Sequence, residues 1–131
     1  MSNYVMYLFI NKGLGMSSGK IAAQSVQSSI GAYKLSDGEL VHDWWHKGGH
    51  HTTLVMEAID ENNLQNIQNY LLDRGFNSFM MIDEGMTEVD AHVCTALAVE
   101  IVDKEDPHTE ATFSSFKLYR DKVRVVLEID K

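Results

Sequence analysis

Ser17-Ser18-Gly19-Lys20-Ile21-Ala22-Ala23-Gln24-Ser25-Val26-Gln27-Ser28-Ser29-Ile30-Gly31-Ala32-Tyr33-Lys34 follows a loop punctuated by Gly13 and Gly15, and that loop follows the apolar run Tyr4–Ile10. By length and by aromatic and β-branched content, Tyr4–Ile10 predicts a buried strand. After the loop, Ala22, Ala23, Val26, Ile30 and Tyr33 recur at helical spacing, and the alanines permit close packing against a sheet. Lys20 falls in the first helical turn, where a cation opposes the macrodipole and acidic residues are the usual choice. The same helix end presents unpaired backbone N–H groups, an anion site that a lysine strengthens. The plainer alternative is a solvated lysine that happens to begin a helix.

Reading outward, strands keep alternating with helices. Ser36-Asp37-Gly38-Glu39 has capping-box spacing and predicts a short second helix carrying Leu40, Val41, Trp44 and Trp45, ended by Gly48-Gly49. Thr53–Ala58 reads as the second strand. Asp60 then caps a third helix with Leu64, Ile67 and Leu71 on one face and Gly75 as its stop. Phe76–Ile82 and Thr95–Val102 read as the third and fourth strands. Asp106-Pro107 opens a last helix expected to reach about Tyr119. This alternation predicts a single three-layer α/β domain over residues 1–122, a four-stranded sheet with helices on both faces. The turn at Gly85 is too short for a crossover helix, so the third and fourth strands pair antiparallel and the sheet is mixed. In residues 123–131, Val123, Val125, Leu127 and Ile129 alternate with Arg124 and Glu128. That period of two predicts an extra strand, extending the sheet or pairing with another subunit.

Composition narrows the function. The 131 residues are 44% hydrophobic and 23% charged, enough for one real core. The apolar runs are too short for a membrane span, and the N-terminus lacks a signal-peptide pattern. The single cysteine, Cys94, fits a reducing cytoplasm and a small buried side chain. A formal net charge of −8 argues against broad affinity for nucleic acid, so any RNA contact rests on a local patch around Lys12, Lys20, Lys34 and Lys47. The Walker spacing fails at Leu14 and Ile21, and the dinucleotide fingerprint fails at Ser18. His46, His50 and His51 flank a glycine pair with no cysteine or carboxylate at ligand spacing, which predicts a solvated loop rather than a metal site. Trp44 and Trp45 offer stacking surface for a base, or core and interface packing.

A second constellation lies in Ile82-Asp83-Glu84-Gly85-Met86-Thr87-Glu88-Val89, where a strand ends and turns back. Strand ends in α/β domains commonly face the functional crevice, although a turn aspartate bonding its own backbone is frequent too. Together, Gly19–Gln24 with Gly31-Ala32-Tyr33, the turn residues Asp83, Gly85 and Thr87, Thr95 on the next strand, Trp44/Trp45 and Lys117-Leu118-Tyr119 resemble the second family of peptidyl-tRNA hydrolases, found in archaea and eukaryotic cells. The match runs in order over about residues 4–119.

The resemblance implies hydrolysis of the ester joining a peptide to the terminal ribose of tRNA, without metal or organic cofactor. It implies catalytic roles for Lys20, Asp83, Gln24 and Thr95, and substrate-binding roles for Gly19, Gly85 and Thr87. It also implies a homodimer, while the single cysteine and the N-terminus point to a cytoplasmic protein. Asp83 would orient or deprotonate water, and Lys20 would meet the oxyanion or a phosphate. The chain departs from the family at Ser18 and Met86, where positive residues are usual, and at Gln27, where histidine is usual. Glu84 and Glu88 add acid to the turn, and Glu100-Ile101 replaces a Gly-Pro. These changes predict weak, salt-sensitive tRNA binding. They also keep open an alternative, a non-catalytic paralogue serving as a binding module.

Overall fold

The computed structural model describes residues 4–47, 50–85 and 92–120. Thr87, Met86, Glu88 and the expected strand in 123–131 therefore lie outside the described residues. Strand β1 (Tyr4–Asn11) sits inside a mixed sheet. It pairs in parallel with β2 (Thr53–Ala58) and antiparallel with β4 (Val93–Val99), which in turn pairs antiparallel with β3 (Ser78–Asp83). The order is β2-β1-β4-β3, and the two-residue β5 (Val102–Asp103) returns to pair with the start of β1. The expected antiparallel pairing at the Gly85 turn is present.

Both faces of β1 are covered, which explains its unbroken apolar run. Val5, Tyr7 and Phe9 point to one side, where α3 (Glu61–Asp73) inserts Leu64, Ile67 and Leu71 and α4 (Pro107–Phe113) inserts Phe113. Phe113 stacks on Tyr7 with ring centroids 4.1 Å apart. Met6, Leu8 and Ile10 point to the other side, beneath α1 (Ser18–Leu35) and α2 (Gly38–His46). Complete burial of each such side chain contributes about 1.5–3 kcal/mol.

Several local expectations give way to tertiary structure. Asp37, not Ser36, caps α2 through bonds from the Glu39 and Leu40 amides. The Ser36 hydroxyl instead donates to Ala32 O and accepts from Ile101 N, pinning the end of α1 to the sheet. Helix α4 stops at Phe113 rather than Tyr119. Beyond it the backbone satisfies the open edge of β2: Glu57 N donates to Lys117 O, and Tyr119 N donates to Val55 O. The fourth strand begins two residues earlier than expected and breaks at Glu100, whose carboxylate accepts from Asn77 N.

The largest departure concerns α1. Its buried face is Lys20, Gln24, Ser28 and Ala32, whereas Val26 and Ile30 are 61% and 55% exposed. The polar face is stable because its groups find partners, and among the described residues no buried side-chain N or O lacks one. Close approach replaces apolar packing. A Cβ on Gly31 would lie 2.3 Å from Cγ of the Phe79 ring. Gly31→Ala is therefore expected to lose about 1–3 kcal/mol in urea unfolding by overpacking. Phe79→Ala in the same chain should return most of that loss, and a purely additive double mutant would refute the contact.

Candidate active site

The carboxyl ends of β1 and β3 lie side by side with β4 between them, and the candidate site forms at that end of the sheet. Asn11 closes β1. Its Nδ2 donates to Cys94 O at 2.9 Å and its Oδ1 accepts from Gly13 N at 3.1 Å, so one buried side chain fixes both the glycine turn and the start of β4. Ser17 caps α1, its Oγ accepting from Lys20 N at 3.2 Å. These bonds aim Lys20 at the end of β3.

Lys20 Nζ donates to Asp83 Oδ1 at 2.7 Å, with the two side chains 7% and 9% exposed. The cation that opposed the helix dipole thus has a carboxylate beside it, and the expectation that the two residues share one crevice is met. Asp83 Oδ2 accepts from Gly85 N at 2.8 Å, a closure made by Gly85 at φ +81, a left-handed conformation that favours glycine. The Lys20 hydrogen bond, then the Gly85 N–H, then the Lys20 charge hold the Asp83 carboxyl below its ordinary value, against the opposing pull of burial.

One turn along α1, the Thr95 hydroxyl donates to Gln24 Oε1 across the helix–sheet contact. That bond turns Gln24 Nε2 toward Gln27, whose Oε1 accepts it at 3.2 Å. Ser17, Gly19, Lys20, Gln24, Asp83 and Glu84 line a cavity of about 560 Å³. Of the residues expected at a site, Lys20, Asp83, Gln24, Thr95, Gly19 and Gly85 converge here. Thr87 lies outside the described residues. Ser17, Asn11 and Gln27 were not singled out as site residues. A Ser-Ser pair before Gly-Lys was the available signal for the cap, whereas Asn11 carried none.

Three of the four lysines expected in a basic patch are held in ion pairs. Lys12 pairs with Glu57 at 3.2 Å and Lys47 with Asp43 at 3.3 Å. Lys34 stands at the far end of α1 from Lys20, about 21 Å away at 1.5 Å per residue. The Ser17 and Thr95 hydroxyls are engaged as helix cap and amide donor. Asp83, its carboxyl held below the ordinary value, lines the same cavity as Lys20 and the Gln24 amide, an arrangement able to bind and orient a polar molecule.

A family model described as peptidyl-tRNA hydrolase PTH2 matches residues 4–119. A peptidyl-tRNA hydrolase of Methanothermobacter thermautotrophicus is 28% identical over 98 residues, 75% of this chain and 86% of that protein. A probable peptidyl-tRNA hydrolase 2 of Dictyostelium discoideum is 32% identical over 114 residues, 86% of this chain but 53% of that protein. The chain therefore spans about half the length of that second relative. A solved protein of unknown function from Agrobacterium tumefaciens aligns with 92% of this chain and 100% of its own, with a TM-score of 0.59 and 13% identity. At that identity the likeness speaks for the fold alone. The chain belongs to the peptidyl-tRNA hydrolase PTH2 family, a family of carboxylic ester hydrolases.

Proposed function

We propose that this chain releases peptide from tRNA by water attack on the ester to the terminal ribose, with Asp83 and Lys20 as catalytic residues. The observation that carries this reading is the buried 2.7 Å pair between Lys20 and Asp83 lining a cavity of about 560 Å³. A carboxylate held below its ordinary pKa stores a proton poorly. Asp83 therefore orients the water and takes its proton only as the new C–O bond forms. The carbonyl electron pair moves onto oxygen, where the Lys20 ammonium stabilises it. Collapse of the tetrahedral centre breaks the bond to the ribose oxygen, which leaves with the proton from Asp83. Gln24, held by Thr95, presents its amide to the substrate, and Gly19, Gly85 and Thr87 bind the substrate around it.

Cytoplasmic location, supported by the single cysteine, and a homodimer, supported by the resemblance, belong to the same reading. Among the described residues no helix is long and apolar enough to cross a membrane. With Lys12, Lys20 and Lys47 already in ion pairs, tRNA affinity should be weak and salt-sensitive, with a slope set by the few phosphates the chain neutralises. Each neutralised phosphate adds roughly one unit to the slope of log affinity against log salt. A release assay with a short peptidyl-tRNA tests the reading directly. Release above background that declines as salt rises is expected, and background rates at low salt would refute it.

A further inference from the structure

Helix α1 lies over β3 and β4, so the α1/α2 side of the sheet is left thinly covered above β2. Val26, Ile30, Trp44, Trp45, Thr53 and Val55 border an apolar groove of about 640 Å³ there. Val26 and Ile30 are more than half exposed, and an apolar patch of this kind calls for an occupant. The path of the chain points to one. Leu118 bridges Met56 in antiparallel register, and Tyr119 N donates to Val55 O, so the backbone leaves Arg120 running along the β2 edge toward the groove. Continued past Arg120, the same register would set residue 121 opposite Thr53, where β2 begins, and the next residues beside His51, both of which border the groove.

Side-chain parity agrees. Tyr119 packs with the Met6, Leu8 and Trp44 cluster, whereas Leu118 lies on the opposite face beside Tyr7 and Met56. Continued alternation would carry odd-numbered residues to the groove side, and four of the five apolar residues of the following segment, Val123, Val125, Leu127 and Ile129, are odd-numbered, with Val126 the exception. At about 3.3 Å per residue, Val123–Ile129 is long enough to cross it. We propose that Val123–Ile129 continues the strand begun at residues 117–119 and lays its odd-numbered side chains over this groove, as a covering supplied by the same chain.

Both tryptophans of the chain border the groove, so their emission reports its occupancy. In the full chain, amides of residues 121–129 should exchange about tenfold or more slower than unprotected amides, at every protein concentration. Val125→Asp should red-shift tryptophan emission and abolish that protection while β1 amides stay protected. Val126→Asp, the same change on the opposite face, should do neither. Unprotected amides in the wild-type chain would overturn the proposal. So would equal effects of the two variants, or protection that appears only at concentrations where a dimer forms, which would assign the groove to a second copy.

Discussion

Asp83→Asn is expected to lower the rate of peptide release by about 10²–10⁴-fold, chiefly in kcat. The carboxylate accepts from Lys20 Nζ through one oxygen and from Gly85 N through the other. An asparagine presents a single oxygen, so one of those donors would face an NH2 group. The fold should persist, because the β1 core on both sides of the sheet does not involve this residue. Some loss of Tm is expected from the mismatched donor. What disappears is the negative charge proposed to orient water and accept its proton. Steady-state release with a short peptidyl-tRNA, measured beside thermal unfolding, separates the two effects. Wild-type kcat in a folded Asp83→Asn protein would move water activation to another residue.

The central strand was legible because a segment buried on both faces needs no polar alternation, and Tyr4–Ile10 has none. Helix α1 was legible as a helix but not in its orientation. Apolar periodicity selects Val26, Ile30 and Tyr33 as the packed side, and the structure packs Lys20, Gln24 and Ser28 instead. Each of these polar groups is satisfied by a tertiary or backbone partner, Asp83, Thr95 and Gln24 O respectively, and helical periodicity carries no record of such partners. The same reason hid the end of α4. Ser114 and Ser115 are indifferent helix formers, and the open backbone groups of β2 decided that residues 117–119 extend.

At the site, Lys20 stood out because it breaks a local rule of helix electrostatics. Residues that violate local preference often mark function. Gln24 and Thr95 came only through family resemblance, since a buried amide and a strand threonine follow ordinary patterns. Asn11 was invisible for a related reason: its bond to Cys94 O joins residues 83 positions apart.

Lys20→Met removes the cation while keeping an unbranched stem of similar bulk. Release should fall about 10²–10³-fold, the range for losing one oxyanion-stabilising donor. Its pH profile should also change, and the sign follows from Asp83. The Lys20 hydrogen bond is the largest cause holding that carboxyl below its ordinary value of 3.8, and burial pushes the opposite way. In the wild-type protein the acid limb of kcat/KM should therefore lie below the ordinary carboxylate range. A depressed folded-state pKa also contributes stability above the unfolded value, lost as pH falls through the folded one. Without Lys20, only the Gly85 N–H and residual charges oppose burial. The acid limb should then move to higher pH, and acid unfolding should begin at higher pH with it. Both shifts are measurable in the residual activity and in pH-jump unfolding. A Lys20→Met protein with reduced activity but an unmoved acid limb would mean that Asp83 is not the titrating group, whatever Lys20 contributes to the rate.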